Sequence, residues 1–124
     1  MPYEFRDEGT YYYARLSGSL DPAELNAMTQ EVERLEDAGV MLDRITDFTS
    51  VERIDVGFEE VFAVAQRRAE RRVATPIRSA LVANRSVQFG FVRMFQMFND
   101  NPRIQIRIFG SLEEAQQWLH SSRR

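Results

Sequence analysis

The chain alternates between two hydrophobic periods, and the switches between them mark out nine elements. Tyr3 to Arg6 and Tyr11 to Ser17 carry the aromatic and alternating character of strands, and the polar, glycine-containing Asp7-Glu8-Gly9-Thr10 joins them as a hairpin. The pattern then changes to a helical spacing. Asp21 stands where a helix N-cap belongs, Pro22 at the first helical position and Glu24 three residues on. Leu25, Met28, Val32 and Leu35 form the expected buried stripe, and Gly39 ends it. A strand is predicted from Met41 to Phe48, followed by a loop from Thr49 to Arg53. Asp55 is placed to cap a second helix in which Phe58, Val61, Phe62, Ala65 and Ala69 share a face. Ile77 to Ala83 reads as an apolar strand after Thr75-Pro76. A third helix begins near Ser86 and stops around Asn99-Asp100-Asn101-Pro102. Ile104, Ile106 and Ile108 alternate with Gln105 and Arg107, as a strand with one wet face at a sheet edge does. Ser111-Leu112-Glu113-Glu114 is a capping box for a last helix buried through Leu112, Ala115, Trp118 and Leu119, with fraying expected after His120.

The resulting order is β-β-α-β-α-β-α-β-α. Helices between successive strands require right-handed crossovers and a mostly parallel sheet, so the predicted fold is α/β, with five strands, an N-terminal antiparallel hairpin and four helices. The 124 residues are enough for one sizeable core, and one domain covering residues 1–124 is expected.

Two segments carry a family resemblance. Ile45-Thr46-Asp47-Phe48-Thr49-Ser50-Val51-Glu52-Arg53-Ile54-Asp55-Val56-Gly57-Phe58 is similar to the strand, short loop and helix start of STAS domains, the SpoIIAA-like fold of the bacterial anti-sigma-factor antagonists. Phe89-Gly90-Phe91-Val92-Arg93-Met94-Phe95 is similar to the helix before the last strand in an uncharacterised branch of that family, sometimes likened to Sec14-type lipid carriers. The resemblance implies a regulatory or protein-interaction module. In the antagonists a Ser or Thr after the Asp is phosphorylated and switches partner binding. Here Val56 and Gly57 follow Asp55, so no hydroxyl stands at that place and no phosphoswitch is expected there. Thr49 and Ser50, upstream, suit turn residues that bond their own backbone.

Composition narrows the chemistry. The chain has no cysteine, which excludes disulfides, thiolate metal sites and thiol nucleophiles. All sixteen of its basic residues are arginine, so Schiff-base chemistry and lysine-dependent phosphate loops are excluded as well. The net charge of −3 argues against a nucleic-acid binder. No leader-like basic and apolar run opens the sequence and no apolar stretch has the length of a membrane span, so a cytoplasmic protein without integral membrane association is expected. His120 is the only histidine, which rules out a two-histidine metal site within one chain, and its position suits a helix C-terminus. With no nucleophile elbow, glycine-rich phosphate loop or cofactor motif, the chain reads as no enzyme, with no cofactor and no metal.

The candidate residues fall into three groups. Asp47, Asp55, Gly57 and Phe58 lie where open α/β sheets place ligands or partners, although the two aspartates also suit turn bonding and capping worth about 1 kcal/mol. Arg67, Arg68, Arg71 and Arg72 form a basic run that reads as a solvated helix end or, as the alternative, an anion clamp. Phe89, Phe91, Val92, Met94, Phe95, Met97 and Phe98 ring nearly the whole third helix and leave only Arg93 and Gln96 polar. A helix on a sheet needs one apolar stripe, so the rest is expected to meet a homodimer partner, a deep core position or an apolar ligand. Phe91, Met94 and Phe98 share one side of the helix and Phe89 and Val92 lie toward another, and one set should face outward. The functional expectation is therefore a non-catalytic interaction module acting as a homodimer or on a protein partner. The alternative is a carrier or sensor of a small apolar, lipid-like ligand, and an enzyme without a recognisable motif ranks third.

Overall fold

The computed structural model describes residues 3–39, 42–71, 73, 75–99 and 101–121. Its elements are β1 (Tyr3–Asp7), β2 (Tyr11–Leu20), α1 (Pro22–Asp37), β3 (Asp43–Ile54), α2 (Phe58–Ala69), β4 (Ile77–Val82), α3 (Ser86–Phe98), β5 (Ile104–Phe109) and α4 (Leu112–His120). The strands lie in the order β1-β2-β3-β4-β5, with β1 antiparallel to β2 and the others parallel. The predicted architecture is the observed one, and the Ile104 strand is at the sheet edge.

A strand order that follows the sequence, joined by right-handed crossovers, puts every crossover helix on the same side of the sheet. Accordingly Leu16, Phe48 and Leu81 point toward α1, α2 and α3, and pack with Leu25, Val61, Phe91 and Val92. The alternate residues Tyr11, Tyr13, Ile45, Ala80 and Val82 face the other way, where α4 covers them through Ala115, Trp118 and Leu119. Ser111 caps α4 by accepting from the Glu114 N–H. At its other end the Arg78 guanidinium lies 5.2 Å over the Trp118 ring and donates to the Trp118 carbonyl and to the Ser121 hydroxyl. His120, in the last turn, meets Tyr11 edge-on. The fraying expected beyond His120 concerns residues that, after Ser121, lie outside those described, as does Met41 at the predicted start of β3.

The Thr49–Arg53 loop is corrected to strand. β3 continues to Ile54 because β2 continues beside it: after register shifts on either side of Gly18, Ser17 to Leu20 pair with Ser50 to Ile54. Gly18 sits at φ +73°, a conformation glycine reaches without a Cβ penalty, and the irregularity lets both strands run on. The strand extension also displaces the α2 cap. The N-cap is Gly57, with no side-chain hydrogen bond, while the exposed Asp55 spends its N–H on the Leu20 carbonyl. Asp55 is thus the residue that closes the β2-β3 ladder and is not a helix cap.

The stripe predicted for α1 is corrected as well. Asp21 caps the helix as expected, but its buried residues are Leu25, Thr29, Glu33 and Glu36, while Met28, Val32 and Leu35 are half-buried. The reason is what α2 offers across from it.

Candidate functional site

The C-terminal half of α2 presents arginines to the carboxylates of α1. Arg68 and Glu36 are both buried and form a bidentate pair with contacts of 2.8 and 2.5 Å. Arg44 of β3, also buried, donates to the same Glu36 carboxylate at 3.2 Å. Arg67 binds Glu33 at 2.6 Å, and Arg71 bridges Glu36 at 3.2 Å and Asp37 at 2.6 Å. Burial pushes the Glu36 carboxyl up, but the hydrogen bonds and charges of Arg68 and Arg44 outweigh it and hold the pKa at about 2. The helix end read as solvated is therefore an internal ion-pair network at Arg67, Arg68 and Arg71; Arg72 lies outside the described residues. Asn101, itself buried, donates to the Arg68 and Arg71 carbonyls and so closes the end of α2.

Next to this network lies a cavity of about 70 Å³ between the sheet and α1, α2 and α3. Its walls are mainly apolar, with Leu25, Phe48, Leu81, Phe91 and Phe95 prominent, and one region is polar, with Arg44, Arg68, Thr46 and Ser79. Among the described residues Arg44 has an Nε without a hydrogen-bond partner, and its β2 neighbour Tyr12, whose ring lies 5.3 Å below the guanidinium, has a buried hydroxyl likewise without one. Burial lowers the Arg44 pKa and raises that of Tyr12. Unsatisfied buried polar groups are rare enough in proteins that two on adjacent strands distinguish this region.

The N-terminal half of α2 is of the opposite kind. Phe58 and Phe62 stack at 6.1 Å, and both meet Phe98 of α3 edge-on, at 5.2 and 5.3 Å. Phe58 is nevertheless 59% exposed and Met97 74% exposed. An open groove between the helices, lined by Phe62, Gln66, Met97 and Phe98, continues this surface.

The candidate residues thus separate. Gly57 and Phe58 open the aromatic seam, with the exposed Asp55 two residues ahead of it; Glu60 folds back over Gly57, where a Cβ would come within 3.1 Å of its carboxylate. Asp47 is not beside them. It is buried on the α4 side of the sheet, accepting from the Tyr13 hydroxyl at 2.5 Å and from the Thr49 N–H and hydroxyl at 2.9 and 2.7 Å. Burial, followed by this bond to Asp47, pushes the Tyr13 pKa up. On α3, Phe91 and Val92 are buried, Phe89, Met94, Phe95 and Phe98 are half-buried against the core, and Met97 faces out. The outward position therefore belongs to neither of the two expected sets, since each contributes one buried residue; Met97 leads outward because α2 covers Phe98 and the sheet covers Phe91. Gln88 escaped the sequence reading. Fully buried, its amide accepts from the Asn84 and Arg85 N–H groups and donates to the Val51 carbonyl, locking the start of α3 to the extended β3. A glutamine three residues after Arg85 was its only sequence signal.

No family model matches the chain, and no curated protein matches it. Solved structures do match its fold. SpoIIAA, an anti-sigma factor antagonist seen in its unphosphorylated form, aligns with a TM-score of 0.66 and 16% identity over 98% of this chain and 99% of that one. An anti-sigma factor antagonist from Mycobacterium paratuberculosis gives 0.64 and 13% over 96% and 93%. An uncharacterized DUF3478 family protein with a SpoIIAA-like fold from Shewanella loihica PV-4 gives 0.60 and 17% over 94% and 91%. The chain has the SpoIIAA-like fold that two of its segments suggested.

Proposed function

We infer that this SpoIIAA-like chain is a non-catalytic regulatory module that works by docking a protein on the seam between the start of α2 and the end of α3. The observation that carries the reading is the exposure of Phe58 and Met97 on either side of a preformed cluster of Phe62 and Phe98. A contiguous apolar surface of aromatic residues and methionine on a soluble fold marks an interaction site, and rings already packed together lose little freedom on binding. Two neighbours of the same fold are anti-sigma factor antagonists, which supports a regulator that acts by contact. A second copy of the chain is the first occupant to consider, because two-fold assemblies require one self-complementary patch.

Regulation of this face by phosphate at the start of α2 is not part of the reading, since residues 55–58 are Asp, Val, Gly and Phe. The test is sedimentation equilibrium of the unmodified chain beside Phe58→Glu and Met97→Glu. A folded monomer for both variants and a dimer for the parent supports self-docking. A parent that is monomeric at every concentration directs the reading to a different protein. Unchanged association in both folded variants overturns the seam as the docking face.

The cavity favours a second reading, a carrier or sensor of a small apolar ligand. Its volume of about 70 Å³ lies well below the roughly 300–1,000 Å³ of drug-sized pockets, so the ligand is small or α3 must move outward to admit it. Native mass spectrometry of the purified chain tests this reading through a co-purifying small molecule.

A further inference from the structure

The cavity behind α3 combines features that an inert packing defect lacks. Its apolar wall includes Phe91 and Phe95 of α3 and Leu81 of β4, while Arg44 and Arg68 line it together with the hydroxyl-bearing Thr46 and Ser79. Arg68 is occupied, both terminal nitrogens lying on Glu36. Arg44 is not. It shares Glu36 through one terminal nitrogen at 3.2 Å, and its buried Nε has no partner among the described residues. Charge points the same way. Among the described residues the network sets four guanidiniums, Arg44, Arg67, Arg68 and Arg71, against three carboxylates, Glu33, Glu36 and Asp37, which leaves one positive charge over. Arg67 and Arg71 meet solvent, whereas Arg44 is only 5% exposed and has already lost its hydration. A desolvated, incompletely bonded guanidinium is the group that gains most from an anion, and a planar carboxylate matches its geometry.

We propose that this cavity binds a short-chain organic monocarboxylate, its carboxylate on Arg44 and its hydrocarbon end between Phe91 and Phe95. Size limits the chain. A cavity of roughly 150 Å³ accommodates the six carbons of benzene, so one of about 70 Å³ holds roughly three non-hydrogen atoms as it stands, and a four-carbon acid fits only with α3 displaced outward. Inorganic phosphate satisfies the cation but wastes the apolar wall, and a neutral molecule of the same shape fills the wall but leaves the buried guanidinium as it was. The inference rests on the second reading above and gives that ligand its chemical class.

The experiment is titration of the intact chain with sodium butyrate, with butyramide as the neutral isostere and sodium chloride and phosphate as ionic controls at matched ionic strength. It is read by protein amide shifts and by transferred contacts from the butyrate methyl to the Phe91 and Phe95 ring protons. The expected result is saturable butyrate binding at least about tenfold tighter than butyramide, as a charge-assisted bond in place of a neutral one implies, with methyl contacts to both rings. Arg44→Met should abolish that preference. Should Arg44→Met fail to fold, Ser79→Val, which fills the cavity and removes no charge, should weaken butyrate by a similar factor. Equal binding of butyrate and butyramide keeps the apolar-ligand reading and overturns the anion. Binding of chloride or phosphate at the same shifts and strength overturns the role of the hydrocarbon wall. Failure of every probe to bind overturns both this inference and the reading it rests on, while leaving the docking seam untouched.

Discussion

The two ends of α2 are three turns apart and meet opposite surroundings. At the C-terminal end, charged side chains are taken out of water: Arg68 and Glu36 are almost wholly buried, with Arg67 and Arg71 completing the lattice of contacts to α1. At the N-terminal end, an aromatic ring is left in water, Phe58 at 59% exposure. Hydrophobicity alone ranks these residues the other way round. The difference lies in the neighbours. α1 supplies carboxylates facing the arginines, so the buried Arg68 is paired with Glu36, and removing either partner would strand the other. Opposite Phe58 the end of α3 supplies the edge of the Phe98 ring, and Phe58 stays more than half exposed. The first end holds the domain together, and the second is free to hold something else.

The largest effect separating the two ends should come from Glu36→Gln, which leaves Arg44 and Arg68 buried without their shared carboxylate. A loss of about 3–5 kcal/mol is expected in urea unfolding, the range for breaking one partner of a buried pair. An effect below about 1 kcal/mol would show that the network is a surface feature.

Acid should act on the same end. A carboxyl whose folded pKa is held at about 2, against an ordinary 4.5, adds stability that is complete above 4.5 and is lost as pH falls toward 2. The unfolding free energy of the parent should fall across that window by about 3 kcal/mol from this group. Glu36→Gln should remove that share of the fall while leaving whatever the other carboxylates contribute, and parallel curves for the two proteins would break the assignment.

Gln88→Leu probes the support under α3. Its amide serves the Asn84 and Arg85 N–H groups and the Val51 carbonyl, all in the interior or near it. A loss of about 2 kcal/mol is expected by thermal unfolding, because the backbone groups are left unpaired.

At the other end of α2, Phe58→Glu and Met97→Glu should stay within about 0.5 kcal/mol of the parent in stability, since neither side chain fills the core. Their effect should appear in association alone. The smallest change is expected for Asp55→Ala, again within about 0.5 kcal/mol, because the α2 cap is made by backbone and the Asp55 N–H bond to Leu20 survives the substitution.

Much of this architecture is local and therefore legible along the chain. The Asp21 and Ser111 caps, the alternation of Ile104, Ile106 and Ile108, and the hairpin around Gly9 are each settled within one or two turns of chain. The element order follows from them, and right-handed crossovers then dictate the mostly parallel sheet. What tertiary structure alone decided are the pairings between distant residues. Glu33 and Glu36 look like solvated positions of α1 until Arg67 and Arg68, more than thirty residues on, arrive opposite them. Thr49 to Arg53 look like a loop until the end of β2 lies beside them, and Asp55 looks like a cap until that ladder claims its backbone. The apolar ring of α3 likewise carries no mark of which residue is left outside; Met97 is the exposed one because α2 and the sheet reach the others first. Periodicity records which residues avoid water, whereas charge pairs, strand ends and exposed seams depend on what another part of the chain brings within reach.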